Sequence, residues 1–486
     1  MSSIDLGVIV LYIVGCTALG ARLGSQSKGL KGYFLGESNI PAWAVMISIV
    51  ATETSTATFL SVPGVAYKGD FSYLQLALGY ILGRVVVATV LLPAYFRGEI
   101  YTAYEVLQDR FGGSTRRMAS ILFLITRSLA DGLRLFLTAL VAQQLTGWSI
   151  SGSIVVVGVV TVVYTYLGGM KAVIWTDVIQ FVIYIIGAIV ALLILVDKLP
   201  GGWSGLWKSA NAAGKFHMFR FTFDLTEPYT FWAGLIGGMV LNTATHGADQ
   251  MMVQRYLSAR SQRQAAAALI ASGFVVFAQF ALFLLIGVSL WVFYRDPGLV
   301  PDQVFSKFIV AHLPTGVLGL VIAAIFSAAM STLSGSLNSS ASAIVNDLYR
   351  PLSGRTDEAH LLRVSRAMTA VWGVVLVAVA LGATRLQDNV VNNALAIASF
   401  VTGILLGLFL LGILTRRVGQ SAALVGMLAG VMAVSFAKFG TPLAWPWYAL
   451  VGSSTVFAVG LASSYLVPGS PGFRVPETLP SPSPTS

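Results

Sequence analysis

Charge, cysteine and histidine are all scarce in this chain. Only 10% of its 486 residues are charged and 56% are hydrophobic, whereas a soluble domain carries about 25% charged residues. So little charge on so much apolar surface marks an integral membrane protein. The single cysteine, Cys16, excludes an internal disulfide, and the four histidines (His217, His246, His312, His360) are scattered without the spacing of metal ligands. There is no Walker-type phosphate loop, nucleophile elbow or HExxH run, so a membrane enzyme or an ATP-driven pump has no support in the sequence. The net charge of +10 sits mostly in short loops, where it reports topology and not a nucleic-acid partner. Secondary carrier, channel and receptor remain, with membrane lipid and a small solute as partners and no obligatory protein partner or organic cofactor implied.

Long apolar runs are plentiful. A hydrocarbon core of about 30 Å needs roughly 20 mostly apolar residues per helix, and stretches such as VIQFVIYIIGAIVALLILV (178–196) follow one another between short polar turns. They predict an all-α bundle of about thirteen transmembrane helices, with separate spans at 154–166 and 172–196 among them; a β-barrel would alternate in short segments instead. The first apolar stretch, 6–21, lacks a basic leader and reads as an uncleaved helix. Arginines cluster in alternate loops, at Arg97, Arg110, Arg116 and Arg117; at Arg255, Arg260 and Arg263; at Arg350, Arg355, Arg363 and Arg366; and at Arg416 and Arg417. The positive-inside rule makes that side cytoplasmic, and an odd number of spans then puts the amino terminus outside and the carboxyl terminus inside. The expectation is one transmembrane domain over 1–467 in the cell membrane, an ordered external cap at 198–230, and a disordered Pro/Ser-rich tail at 468–486.

Polar groups inside spans are costly and point to function by default. The second span, expected at 42–62, carries the run ATETST with Glu53 in its middle, and the seventh, at 231–251, ends in NTATHGADQ with Asn242, His246 and Asp249. Two polar-interrupted helices in corresponding positions of two halves point to an inverted-repeat carrier, with freed carbonyls lining a midplane site. In the fourth span Arg127, Asp131 and Arg134 stand four and then three residues apart, on one helix face where they can neutralise one another. Arg134 is the better substrate candidate of the three, and Arg84 in the third span is expected to pair with Glu53 or a carbonyl.

The stretch AAIFSAAMSTLSGSLNSSAS (323–342) is crowded with hydroxyls. Ala328, Ser331, Thr332 and Gly335 fall at i, i+3, i+4 and i+7, one narrow face of small and hydroxyl side chains. Serines and threonines here can simply bond back to the carbonyl four residues earlier and permit close helix packing. Set against the ATETST interruption, the same hydroxyls and carbonyls suit a hard monovalent cation.

Taken together, YLGGMKAVIWTDVIQ, NTATHGADQMMVQRYLSAR and AAIFSAAMSTLSGSLNSSASAIVNDLYR resemble motifs of the sodium/solute symporter family, whose members carry proline, glucose, iodide, monocarboxylates and sialic acids. The resemblance implies a LeuT-like inverted repeat of five plus five helices (about 40–197 and 229–415), with one helix added in front and two behind. It implies sodium as coupling ion, held by the carbonyls of Ala51, Thr54 and Ala328 and the hydroxyls of Ser331 and Thr332. Asp177 matches a family aspartate that would hold a second sodium with Ser334 or line the exit path. The alternative reading pairs Asp177 with Lys171. Members with a second sodium have a hydroxyl where this chain has Gly335.

The glutamate and lysine that sugar carriers use fall on Ala77 and near Val276, which disfavours a sugar. Glu53, Ser55, Gln75, Arg134, Asn242, His246 and Asp249 form the candidate substrate set, suited to an amino acid or small organic acid. A proton-coupled carrier of the same fold, and a sensor or channel without accumulation, stay open alternatives.

Overall fold

The computed structural model describes residues 2–24, 29–385 and 388–466, so the tail expected from 468 lies outside the described residues. Within them every regular element of more than an isolated bridge is helical. The chain opens with α1 (Ser3–Gly24) and the short α2 (Gly29–Leu35), followed by α3 (Ala42–Glu53) and α4 (Thr56–Lys68). These last two are the halves of the interrupted second span, and Ala42–Glu53 and Thr58–Lys68 diverge by 64°. The break has a local cause. Thr54 and Ser55 are extended, and Ser55 Oγ accepts the Thr58 amide at 3.3 Å as the N-cap of α4, which satisfies one of the amides a new helix leaves bare.

Next come α5 (Leu74–Val86), α6 (Leu92–Tyr95), α7 (Glu105–Phe111) and α8 (Gly113–Thr146), then α9 (Ile150–Asp197). At about 1.5 Å per residue, the 48 residues of α9 would run more than twice the depth of a bilayer core. Gly169, at φ 56° and ψ −158°, turns the chain there, and the spans expected at 154–166 and 172–196 are its two arms. A Cβ at Gly169 would lie 2.5 Å from the Tyr33 carbonyl, so only glycine allows both the dihedral and the contact.

After α10 (Gly202–Ala212) an irregular strap leads to α11 (Gly238–Gly247) and α12 (Gln250–Leu257). The second interruption falls between them, where Asp249 is extended and accepts the Met251 amide at 2.8 Å. The remaining helices are α13 (Gln262–Tyr294), α14 (Pro301–His312), α15 (Val317–Ala343), α16 (Arg350–Ser353), α17 (Glu358–Ala383), α18 (Asp388–Leu414), α19 (Gln420–Gly440) and α20 (Tyr448–Leu466). Among the described residues eight helices are long and apolar enough to cross a membrane, nine if α3 and α4 count as one span.

Burial separates the helices that face lipid from those that hold the site. Helices α1, α17 and α20 expose large apolar side chains such as Leu11, Val374 and Leu466. In α15 every residue from Val321 to Ala343 is buried, so its hydroxyls face protein on all sides. Asp5 fixes the start of this helix by accepting the amides of Gly316 at 2.7 Å and Gly319 at 2.9 Å, with a negative charge at the positive end of the helix dipole.

Candidate functional site

The two interruptions and α15 meet in the middle of the bundle. Thr332 Oγ1 of α15 donates to the carbonyl of Thr52, in the last turn of α3, at 3.0 Å. The helical ladder of α3 ends with Thr54 N donating to Val50 O, so the carbonyls of its last turn, Ala51 among them, project past the end of the helix. Thr54 itself is clamped: its hydroxyl donates back to Val50 O at 2.9 Å, accepts from Gln279 Nε2 of α13 at 2.8 Å, and lies 3.4 Å from the Tyr184 hydroxyl of α9. Gln279 and Tyr184, which carry no motif of their own, therefore hold the break open.

The hydroxyls of α15 divide into two groups. Ser327, Ser334 and Ser339 bond back to carbonyls of their own helix. Ser331 Oγ is buried and has no hydrogen-bond partner among the described residues. Ser336 Oγ and Ser340 Oγ are likewise buried without a partner among the described residues, each such hydroxyl costing about 1–3 kcal/mol, and of the three only Ser331 adjoins Thr332, whose hydroxyl reaches the broken span.

Asp177 lies fully buried on α9. Its Oδ2 accepts from Ser48 Oγ at 2.5 Å and Thr52 Oγ1 at 3.3 Å and lies 3.0 Å from Arg255 Nη2, while its Oδ1 has no partner among the described residues. The cationic partner is Arg255 and not Lys171. Counted above among the loop charges, Arg255 sits instead inside the protein with none of its surface exposed, its Nη1 donating to Met251 O at 2.8 Å and its Nε to Ser48 Oγ at 2.9 Å. Gly335 makes room for it, since a Cβ there would stand 2.7 Å from Arg255 Nη2. Ser334 Oγ donates to Ser331 O within α15 at 3.1 Å, and among the described residues no hydrogen bond joins it to Asp177.

A cavity of about 280 Å³ opens between α3, α4, α5, α8, α11, α12, α15 and α18. Glu53, Ser55, Arg134, Asn242, His246 and Asp249 all line it, as does Thr332. Sequence reading missed Thr58, Tyr80, Thr126 and Thr245; Thr245 belongs to NTATHGADQ and Thr58 stands two residues past ATETST, which was the available signal. Gln75 does not line it. The side chain is 1% exposed and fully engaged, donating to the carbonyls of Ser72 and Tyr229 and accepting the Arg220 amide, each at 3.0 Å.

Gln75 thus bolts the strap before α11 to α5, and two charged contacts add to it. Arg220 Nη2 lies 2.6 Å from Asp70 Oδ2, and Lys215 Nζ donates to the carbonyls of Tyr67 and Gly69 at 2.8 Å. Burial acts to raise the Asp70 carboxyl, but hydrogen bonds from Ser72 and Arg220 outweigh it and hold the group below its ordinary value. Burial pushes the Lys215 ammonium below its ordinary value, with Asp70 opposing.

Ion pairs tie down the charged residues that line the cavity. Arg84 Nη2 binds Glu53 Oε2, and His246 Nε2 lies 3.6 Å from the same oxygen. Asp131 is shared by Arg127 Nε and Arg134 Nη1, each at 2.6 Å, and Arg127 Nη1 reaches Asp249 at 3.0 Å. The stripe expected on α8 exists, and its far end is tied to the second interruption.

A broken span facing a hydroxyl-rich helix across a polar cavity is the arrangement of a coupled carrier. Residues 33–430 match the Sodium:solute symporter family, and the chain belongs to that family of sodium-coupled carriers, which are transporters and not enzymes. It is 30% identical over 478 residues to the sodium/sialic acid symporter SiaT of Proteus mirabilis (strain HI4320), covering 95% of each protein. It is 32% identical over 438 residues to sodium-coupled monocarboxylate transporter 1 of Homo sapiens, covering 88% of this chain and 72% of that one. Among solved structures it resembles a Na+-coupled sialic acid symporter in a substrate-bound outward-open state, with TM-score 0.88 at 29% identity over 97% of this chain and 99% of that one. A nucleobase-cation-symport-1 family transporter in a closed conformation shares the fold at 14% identity, with TM-score 0.63 over 90% and 95% of the two chains.

Proposed function

We propose that this protein couples inward sodium movement to uptake of a small polar solute, an amino acid or small organic acid, by alternating access. The carrying observation is the Thr332 hydroxyl, which reaches from α15 to the broken span at Thr52 O, with the buried Ser331 Oγ beside it. Sodium sits between α3 and α15, on the carbonyls of Ala51, Thr54 and Ala328 and the hydroxyls of Ser331 and Thr332. Hydroxyl and carbonyl oxygens replace the water shell of a small hard cation. By holding the broken span against α15, the ion pre-organises the cavity, and linkage requires bound solute to favour sodium equally.

One ion per cycle is the reading supported at Asp177, where Arg255 already supplies a positive charge and fills the space beside Gly335. Carrying one net charge inward across 100 mV is worth about 2.3 kcal/mol, which at about 1.4 kcal/mol per decade sustains roughly 40-fold accumulation before any sodium gradient is added.

Thirteen spans remain the reading of the topology. They add to the apolar helices the polar α8, the α11–α12 pair, α18 with its apolar Val401–Leu414 portion, and the second arm of α9. The amino terminus is then outside and the carboxyl terminus cytoplasmic. The test is thermal stabilisation of the purified protein by amino acids, sugars and organic acids, with and without sodium. Stabilisation by an amino or organic acid only when sodium is present is expected; stabilisation by sugars, or without regard to sodium, contradicts the proposal.

A further inference from the structure

The charged groups of the cavity wall leave a small remainder once their mutual contacts are counted. Arg127 faces two carboxylates and also donates to Met251 Sδ. Both oxygens of Asp131 meet guanidinium nitrogens. Asp249 gives Oδ2 to Arg127 and Oδ1 to the Met251 amide. Arg84 is taken up by Glu53 and by Ser272, whose Oγ lies 2.5 Å from its Nη1. Of the carboxylates and guanidiniums that line the cavity, two keep unused capacity among the described residues, while the lining Asn242 Oδ1 and His246 Nε2 are also without a hydrogen bond. Glu53 commits only Oε2, and Arg134 commits only Nη1, leaving Oε1 on the one and Nε and Nη2 on the other. Their side chains are also the more exposed, 18% for Glu53 and 37% for Arg134, against 11% or less for Arg84, Arg127, Asp131, His246 and Asp249.

We infer that the solute is a zwitterion, its carboxylate held by Arg134 and its ammonium by Glu53 Oε1. The inference rests on the proposed sodium-coupled uptake through this cavity and names the class of solute within it. A guanidinium with free nitrogens takes a carboxylate through charge-assisted, often bidentate hydrogen bonds. An anion without an amine would satisfy Arg134 but set a second carboxylate into the cavity that Glu53 already faces, with the Glu53 oxygen left unfilled. An amine without a carboxylate would leave the Arg134 nitrogens unmet. A zwitterion meets both groups and adds no net charge, so the only net charge the loaded carrier gains is that of sodium. The volume of about 280 Å³ lies just below the range of roughly 300–1,000 Å³ usual for pockets that take drug-sized ligands, and fits a single amino acid better than a conjugate of one.

The test uses the full chain in detergent at saturating sodium. Binding is measured by calorimetry for the standard amino acids, β-alanine and γ-aminobutyrate, each beside its des-amino acid and its decarboxylated amine. At least one zwitterion is expected to bind about tenfold or more tightly than both of its truncated partners, as for loss of a hydrogen bond to a charged group. Glu53→Gln then weakens the zwitterion and leaves the des-amino acid unchanged or tighter, while Arg134→Gln weakens both. Since Glu53→Gln also loosens Arg84, Glu53→Asp is measured beside it and is expected to retain the preference for the amine. A des-amino acid that binds wild type as tightly as its parent, or no sodium-dependent binding by any of the zwitterions, overturns the inference. In the first case binding still requires sodium and the symport reading survives; binding that ignores sodium overturns that reading instead.

Discussion

The guanidinium of Arg255 and the carboxylate of Asp177 meet at 3.0 Å with neither side chain open to solvent. They join α12, which follows the second interruption, to α9, and Ser48 of α3 bonds to both. Three helices of the bundle therefore share one buried charge pair next to the proposed sodium site. Breaking such a pair by removing one partner costs about 3–5 kcal/mol, whereas replacing both by apolar groups is often neutral. Arg255→Met should accordingly lower the unfolding temperature of the purified protein more than the double change Arg255→Met with Asp177→Leu. Equal losses would show that packing, and not the charge pair, holds this corner together.

Gly335 is the space that the Arg255 guanidinium uses. Gly335→Ser places a side chain within 2.7 Å of Nη2 and forces the arginine away from Asp177. The variant should be less stable than wild type, and in wild type the sodium dependence of uptake should follow a Hill coefficient near one. A coefficient close to two would mean that a second ion binds despite Arg255.

Ser331→Ala separates the two meanings of a lone hydroxyl. If Ser331 Oγ only fills space, removing an unsatisfied buried group is neutral or stabilising. As a sodium ligand its loss should raise the sodium concentration for half-maximal uptake by roughly tenfold, in line with a lost charge-assisted contact, without lowering the unfolding temperature in sodium-free buffer. Thr332→Ala should raise that sodium concentration in the same way, and because its hydroxyl bonds to Thr52 O it should also lower the sodium-free unfolding temperature.

Gln75→Ala tests the strap. Three hydrogen bonds disappear, to the carbonyls of Ser72 and Tyr229 and from the Arg220 amide; a buried group left unsatisfied costs about 1–3 kcal/mol. Cleavage of the strap by added protease should speed up, while the affinity for solute should change little. A large loss of solute affinity with an intact strap would return Gln75 to the cavity.

The parts of the site legible in the sequence were those set by local chemistry. ATETST and NTATHGADQ announced their breaks because hydroxyl and carboxylate caps compete with the helical ladder within a few residues. The face shared by Arg127, Asp131 and Arg134 followed from helix periodicity alone. What stayed hidden depends on partners far along the chain. Arg255 looked like one more loop arginine because its sequence neighbours Arg260 and Arg263 are exposed. Its partner lies 78 residues away. Gln75 looked like a cavity residue because no pattern in its own helix reveals that the strap, some 145 residues later, uses up its amide. Gln279 and Tyr184 carried no signal, since each sits in an apolar run where a single polar group reads as incidental. The two arms of α9 were expected as separate spans, and the one dihedral that joins them belongs to a glycine.

Uptake into proteoliposomes holding the purified chain tests the central claim most directly. An inward sodium gradient with a negative interior, applied without any pH gradient, should drive accumulation of a labelled solute identified by the stabilisation screen, and collapsing the sodium gradient and the potential together should release it. Accumulation driven by a proton gradient in sodium-free buffer, or equilibration without accumulation under the sodium gradient, would contradict it.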